Sequence, residues 1–401
     1  MPQASFISVD LPTFGRPTIA MFPQRFTAGN IGTTAPWHKP AEPDRRIGYT
    51  RIPMTDGATR GADVTVIGAG LAGCEVAWKL ASLGRRVTLV DMKPGKRTPA
   101  HSSSGLGELV CSNSLGSDRE STAAGLLKAE LRRAGSLVMA CADRSSVPAG
   151  GALAVDRGLF SRAMTEAMTS SPLIRVAEEE ALGIPREGLV VVATGPMTAP
   201  PLSDDLLGVL DPSGSAPAGL SYWDAISPIV DADSVDPGSS FRGDRWSAAD
   251  PGTGDHLNCP MDAATYERFV TALLESDRMP LATFEDPAYY EGCLPIEVLA
   301  ARGKDTLAHG PLRPVGLEDP ATGARPHAVI QLRREDSEGK AYNLVGCQTR
   351  MMFEDQERVF GIVPALAGAR FMRHGQVHRN TFVDAPSLLG GFMESKARPG
   401  L

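Results

Sequence analysis

The sequence predicts an α/β protein in which a Rossmann-like domain is interrupted by an inserted α+β domain. The stretch "DVTVIGAGLAGCEVAWKLASLGRRVTLVDM" at 63–92 has the pattern strand, glycine turn, helix and strand. A further apolar strand, "GLVVVATGP" at 188–196, also ends in a glycine turn. The long segment after it contains many prolines and several aromatic residues, which favours a second folded unit over another strand–helix repeat.

The first three elements follow from the spacing of their apolar residues. The residues expected to face the core are Val64, Val66 and Ile67 in the first strand, Leu71, Cys74, Ala77, Leu80 and Ala81 in the helix, and Val87, Leu89 and Val90 in the second strand. Spacings of three and four residues give the helix one apolar face, and Gly84 is expected to end it.

The glycine turn has the spacing of a dinucleotide-binding loop. Glycines in a GxGxxG motif permit a tight turn and a close approach of the backbone, and the helix that follows stabilises a pyrophosphate at its N-terminus. An acid at the end of the second strand would accept the ribose 2′-hydroxyl. The predicted cofactor contacts are Gly68, Ala69, Gly70, Leu71, Ala72, Gly73 and Asp91.

The turn alone does not distinguish FAD from NAD. The later "VVVATGP" resembles the second strand–turn element of flavoproteins that bind two dinucleotides, and it favours FAD in a glutathione-reductase-like domain. We predict a disordered or mis-started extension at 1–62, a first part of the FAD-binding domain at 63–200, an inserted substrate and tRNA domain at 201–344, and a return to the FAD-binding domain at 345–401.

Composition restricts the class of protein further. The 401 residues are 42% hydrophobic and 22% charged, as in ordinary globular proteins, and no apolar run is long enough to predict a membrane helix. A net charge of −7 argues against non-specific coating of nucleic acid but not against a local basic groove. The six cysteines form no CxxC pair, which excludes the common zinc and redox spacings and is consistent with reduced thiols in the cytoplasm.

Several longer motifs together resemble one enzyme family. They are, in chain order, "GAGLAG", "TPAHSSSGLGELVCSNSLGSD", "AGLLKAELRRAGSLVMACAD", "VPAGGALAVDR", "HLNCPM", "YYEGCLPIEVLAARGKDTLAHGPLRPVGL" and "VHRNTF". This order is similar to that of the folate- and FAD-dependent tRNA (uracil-5-)-methyltransferases, from about residue 63 to residue 401.

The resemblance implies a cytoplasmic flavoenzyme that makes 5-methyluridine at position 54 of the tRNA T-loop. The methylene carbon would come from 5,10-methylenetetrahydrofolate, and the electrons from NADH or NADPH through FAD. The resemblance also implies that the family's last strand, its second glycine-rich turn and its C-terminal helix are missing here. Two alternatives remain: a relative that acts on the tRNA wobble uridine, which would be a much longer protein, and a truncated nucleotide-binding protein without catalysis.

The chemistry of this reaction requires a thiol near the flavin. Uracil C5 becomes nucleophilic only after a group adds to C6, and a thiolate adds and leaves readily. By the resemblance, Cys111 in "ELVCSN" and Cys259 in "LNCPM" attack C6 and assist removal of the C5 proton, in an order that the sequence leaves open. The other four cysteines, Cys74, Cys141, Cys293 and Cys347, are expected to pack in the core.

Overall fold

A computed structural model describes residues 63–98, 100–214, 220–245, 252–280, 289 and 291–401, all within one compact unit. The predicted extension at 1–62 lies outside these residues. In the described part of the chain the strands are β1 Val64–Ile67, β2 Val87–Asp91, β3 Ser114–Ser117, β4 Ser146–Val147, β5 Ala152–Val155, β6 Ile174–Glu178, β7 Leu189–Val192, β8 Leu220–Ala225, β9 Ile229–Asp231, β10 Phe241–Arg242, β11 Leu257–Met261, β12 Ala328–Arg334, β13 Ala341–Leu344, β14 Phe371–Arg373 and β15 Val377–Phe382.

The helices connect these strands and cover the sheets. Within the same residues they are α1 Leu71–Ser82, α2 Ala123–Arg133, α3 Leu137–Arg144, α4 Arg157–Ser170, α5 Pro200–Leu210, α6 Ala263–Glu275, α7 Ile296–Ala300, α8 Thr306–His309, α9 Phe353–Phe360 and α10 Ala385–Leu388.

The first sheet is parallel and has the order β6–β2–β1–β7. Val64 pairs with Val87 of β2 on one side and with Leu189 of β7 on the other. Helix α1 connects β1 to β2, and its buried side, which includes Cys74 and Ala77, packs in the core of this sheet. The predicted strand, glycine turn, helix and strand are therefore confirmed, as is the strand within 188–196.

The second sheet is antiparallel and has the order β10–β11–β12–β13–β9–β14. Its core contains β11 and β12 together with α6 and α9, and it continues to Leu366. This core and its sheet extend past residue 344, the predicted end of the inserted domain, through α9 and β14, and the domain bounds stay a prediction.

Two small sheets are formed by the remaining strands. Strands β3, β5 and β4 form one, and β8 pairs with β15 in the other. The loop that carries Cys111 enters β3, and β3 pairs with β5.

Among the described residues, no helix has both the length and the apolar character that a membrane span requires.

Helix α6 provides a test of the second core. The side chain of Phe269 is fully buried, with its ring centroid 6.0 Å from that of Phe360 on α9. Phe269→Ala should lower the free energy of unfolding by about 3–5 kcal/mol, because truncation leaves a cavity between the two helices. Leu274 on the same helix is 44% exposed, so Leu274→Ala is the matched control and should cost less than about 1 kcal/mol. Equal midpoints of the two variants in urea would contradict this account of the core.

Candidate active site and cofactor site

The glycine turn between β1 and α1 is shaped for close packing on one side and for a ligand on the other. Gly68 has φ +98°, and a Cβ there would lie 2.6 Å from the carbonyl oxygen of Ala193. A Cβ on Gly73 would lie 1.8 Å from the carbonyl oxygen of Gly68. At Gly70 a Cβ would meet nothing within 4 Å, so the turn faces open space there. This is the space that a pyrophosphate requires at the start of α1.

Asp91 lies against this turn, at the end of β2. Its Oδ2 accepts a hydrogen bond from the backbone N–H of Ala69 at 2.7 Å, and its Oδ1 accepts one from the N–H of Lys93 at 3.0 Å. Asp91 therefore occupies the position expected of the acid that contacts a ribose. The open turn, the helix N-terminus and this carboxylate together fit a dinucleotide such as FAD.

Two arginines hold the main chain of the loop that carries Cys111. Arg157 of α4 donates hydrogen bonds to the carbonyl oxygens of Leu109 and of Cys111, the latter at 3.0 Å. Arg373 of β14 donates one to the carbonyl oxygen of Val110 at 3.2 Å. The loop is thus fixed by cations from α4 and from the edge strand of the second sheet.

A third arginine reaches the polar side chains that follow Cys111. Arg333 of β12 donates through Nη2 to Ser112 Oγ and through Nε to Asn113 Oδ1, both at 2.9 Å. The amide of Asn113 donates to the carbonyl oxygens of Val155 at 3.1 Å and of Arg334 at 2.7 Å. Asn113 is fully buried and connects β5 to β12.

Cys111 meets Cys293 and Asp224 at this loop. The two sulfurs and one carboxylate oxygen lie within 4.8 Å of one another. A hydrogen bond from the Cys293 thiol, assisted by the nearby cations of Arg157 and Arg373, lowers the pKa of Cys111, although burial and Asp224 oppose this. The same hydrogen bond, burial and the charge of Asp224 raise the pKa of Cys293. These opposite shifts favour deprotonation of Cys111 before Cys293.

Cys259 lies away from this cluster. It is fully buried in β11, where it pairs with Ile330 of β12, and burial raises its pKa. A thiol with no exposed surface does not contact a nucleobase in this conformation. The structure therefore does not bring Cys111 and Cys259 together as the predicted pair. The predicted packing positions of Cys74, Cys141 and Cys347 are confirmed, since all three are fully buried.

Cys293 is the residue beside Cys111 that the sequence interpretation assigned to the core. The apolar residues after it, in "EGCLP", indicated core packing, but Cys293 is half-buried at the end of a 3-10 turn, Glu291–Cys293. The available signal was the polar pair Glu291 and Gly292 before it, which resembles the polar surroundings of Cys111. A cavity of about 510 Å³, lined by Glu108 and by Arg157, lies beside the Cys111 loop and offers room for a ligand.

Comparisons with known proteins show the family of this chain. The family described as "Glucose inhibited division protein A" matches residues 63–401. The methylenetetrahydrofolate--tRNA-(uracil-5-)-methyltransferase TrmFO of Geobacter sulfurreducens is 51% identical over 336 residues, which cover 84% of this chain and 76% of the relative. The protein of the same name from Anaeromyxobacter sp. is 53% identical over 341 residues, covering 84% and 74%.

Solved structures show the same fold at low sequence identity. GidA of Aquifex aeolicus, in its form II crystal, superposes with a TM-score of 0.59 at 15% identity over 85% of this chain and 59% of that chain. This chain therefore spans about three-fifths of the length of that protein. The fold is the α/β FAD-binding fold of GidA-like proteins. Within that class, the chain belongs to the family of methylenetetrahydrofolate--tRNA-(uracil-5-)-methyltransferases, which confirms the resemblance found in the sequence.

The arginines around Cys111 lead to a test of its electrostatics. Because the cation of Arg373 stabilises the thiolate, Arg373→Gln should move the midpoint for alkylation of Cys111 by iodoacetamide to higher pH, by roughly one unit. Arg370 is exposed and pairs with Asp231, so Arg370→Gln is the control and should leave the midpoint unchanged. Alkylation of Cys111 is measured by peptide mass spectrometry. A midpoint that does not move in Arg373→Gln would show that this cation does not act on the thiol.

Proposed function

We propose that this protein methylates C5 of uridine 54 in the T-loop of tRNA, with 5,10-methylenetetrahydrofolate as the carbon donor and NADH or NADPH as the reductant through FAD. The observation that carries the proposal is the approach of Cys293 to Cys111, which lies on an arginine-bound loop, in a chain that is half identical to enzymes of that name. Reduced flavin supplies the hydride that converts a transferred methylene group to methyl.

The residues of this chain have three roles in the proposed reaction. The open turn at Gly70, the N-terminus of α1 and Asp91 hold the dinucleotide. One thiol of the pair adds to uracil C6, which makes C5 nucleophilic towards the folate carbon. The other thiol, as thiolate, removes the proton from C5. Cys111 is suited to one of these roles because the hydrogen bond from Cys293 and the nearby arginines lower its pKa.

Cys293 takes the place that the sequence interpretation gave to Cys259. The reason is geometric, since a thiol pair acts on adjacent carbons of one ring only when both sulfurs are close together. Cys111 and Cys293 satisfy this condition, and Cys259 is enclosed by the core of the second sheet.

The second sheet is the proposed inserted domain, which would present tRNA to the thiols. It contributes Arg333 and Arg373 to the Cys111 loop, and arginine also suits contacts to RNA phosphates. We place the reaction in the cytoplasm, because its substrate is tRNA and the six cysteines are unpaired. The alternative, a nucleotide-binding protein without catalysis, is not favoured, because the relatives in the comparison are named as enzymes.

Flavin binding is tested at Gly70. The backbone there is extended (φ −74°, ψ −166°) and a Cβ meets nothing, so Gly70→Val should keep the fold but fill the space for the pyrophosphate. We expect the purified variant to lose its flavin absorbance while its melting temperature changes by less than about 2 °C. Gly73→Ala is the contrasting variant, because its Cβ would clash with backbone and should lower the melting temperature as well. A Gly70→Val protein as yellow as its parent would place the flavin elsewhere.

The thiol pair is tested by three alanine variants. Cys111→Ala and Cys293→Ala should each lower methylation of tRNA, followed with labelled methylenetetrahydrofolate, by at least ~10²-fold. Cys259→Ala should retain methylation, since that thiol only fills the core. With tRNA that contains 5-fluorouracil, C5 cannot lose a proton, so the enzyme should form a stable adduct.

The trap also assigns the roles within the pair. Adduct formation should need only the thiol that attacks C6, whereas turnover should need both. If Cys259→Ala abolishes methylation and Cys293→Ala does not, the pair identified from the structure is wrong.

A further inference from the structure

Asp224 is a carboxylate at the thiol pair that the mechanism above does not use. It lies on β8, where it pairs with His378 of β15. The Cys293 thiol and the Asn380 side chain donate hydrogen bonds to the carboxylate. Its Oδ1 is nevertheless buried and has no hydrogen-bond partner. Burying a carboxylate oxygen without a hydrogen-bond donor costs free energy. Such an oxygen at a reactive centre therefore indicates a functional role.

The proton count of the reaction points to that function. The attacking thiol must be a thiolate when it adds to C6, and the second thiol must also be a thiolate when it takes the C5 proton. In the free pair Cys293 holds a proton, because the neighbouring Cys111, burial and the charge of Asp224 raise its pKa. One proton must therefore leave the pair before the C5 proton can be removed, and this holds whichever thiol attacks C6.

We propose that Asp224 takes up this proton and thereby frees the second thiol to act as the base. The inference rests on the proposed function, because it concerns a step of that reaction. In the transfer, an S–H bond breaks and an O–H bond forms on the carboxylate, and one negative charge moves from oxygen to sulfur. No electron is gained or lost. Asp224 acts through the thiols and does not touch the uracil, so it is a positioning residue.

The charges around Asp224 permit this transfer at one stage of the reaction. Before substrate binds, the thiolate of Cys111 and the carboxylate repel each other, and the cations of Arg157 and Arg373 offset part of this repulsion. Addition to C6 converts one thiolate into a neutral thioether, so the remaining thiol can then lose its proton without placing two sulfur anions side by side. Burial and the cation of Arg373 lower the pKa of His378, which pairs with Asp224 across the two strands.

Two properties of Asp224 support its role as the acceptor. The unpartnered Oδ1 leaves room for a proton, and the carboxylate lies within 4.8 Å of both sulfurs, so it serves either thiol. Burial also raises the pKa of the carboxyl group, although hydrogen bonds from Cys293 and Asn380 oppose this. A raised pKa brings the carboxyl closer to the pKa of a thiol and makes the transfer less unfavourable.

The decisive variant is Asp224→Asn, which keeps the shape and an accepting oxygen but cannot take a proton. Its kcat for methylation should fall about 10²-fold with little change in KM. Adduct formation with 5-fluorouracil tRNA should stay within about threefold of the parent, because the trap does not require the second deprotonation. In the parent protein, protonation of Asp224 at low pH should lower kcat. In Asp224→Asn this decrease should be absent. Asp231→Asn, outside the site on β9, is the matched control and should retain activity.

A second measurement tests the contact without tRNA. In the free protein, removal of the Asp224 charge should lower the pH midpoint for alkylation of Cys111, because that charge opposes the thiolate. An unchanged midpoint, or a variant that methylates at the parental rate, would overturn the inference. Equal loss of adduct and of turnover would show that Asp224 only maintains the fold. A parent protein that forms no adduct would refute the proposed function instead, while the alkylation midpoint would still decide whether Asp224 acts on the pair.

Discussion

The hydrogen bonds of Asn113 connect the two halves of this protein, and the position of the reactive thiol depends on them. The amide nitrogen bridges the carbonyl oxygens of Val155 on β5 and Arg334 on β12, and the amide oxygen accepts from Arg333. All of this is buried, where loss of one partner leaves the others unsatisfied at a cost of roughly 1–3 kcal/mol each. Because Cys111 precedes Asn113 by two residues, the same contacts fix the thiol relative to the small sheet of β3, β5 and β4 and to the second sheet.

Arg333 is an unusual support for a reactive loop, because it is only 8% exposed. A buried cation is costly unless it is hydrogen-bonded and balanced by charge. Its contacts with Ser112, Asn113 and Asn343 provide the acceptors, and Glu335 provides a negative charge nearby. Burial lowers the pKa of Arg333 only to about 10, so it remains protonated at neutral pH. The loop is therefore held by a charge that does not titrate near neutral pH.

The parts that the sequence could predict are those in which neighbours in the chain are also neighbours in space. The glycine turn, α1 and the end of β2 fall within thirty consecutive residues, 63–92, so their spacing was sufficient. The extent of the second core could not be predicted in this way, because α9 and β14 join it through contacts between segments that are distant in the sequence.

The cysteine pair is non-local, and the sequence pattern was misleading there. "LNCPM" resembles a loop because of Pro260, yet it is strand β11 in the second sheet. Strand β10 pairs only with Leu257 and Asn258, so β11 has no neighbour on that side at Pro260. A proline is tolerated at such an unpaired strand position. Cys293 was predicted to pack in the core, and this prediction is wrong. Its apolar neighbours begin a helix that enters the core, while the thiol itself is only partly buried.

The site is assembled from three separate parts of the fold. Cys111 lies on a loop before β3, Cys293 precedes α7, and Asp224 lies on β8. The largest effect that lowers the pKa of Cys111 is the hydrogen bond from Cys293, which exists only when these parts meet. The lowered pKa of Cys111 is therefore a property of the assembled site and not of the Cys111 loop alone.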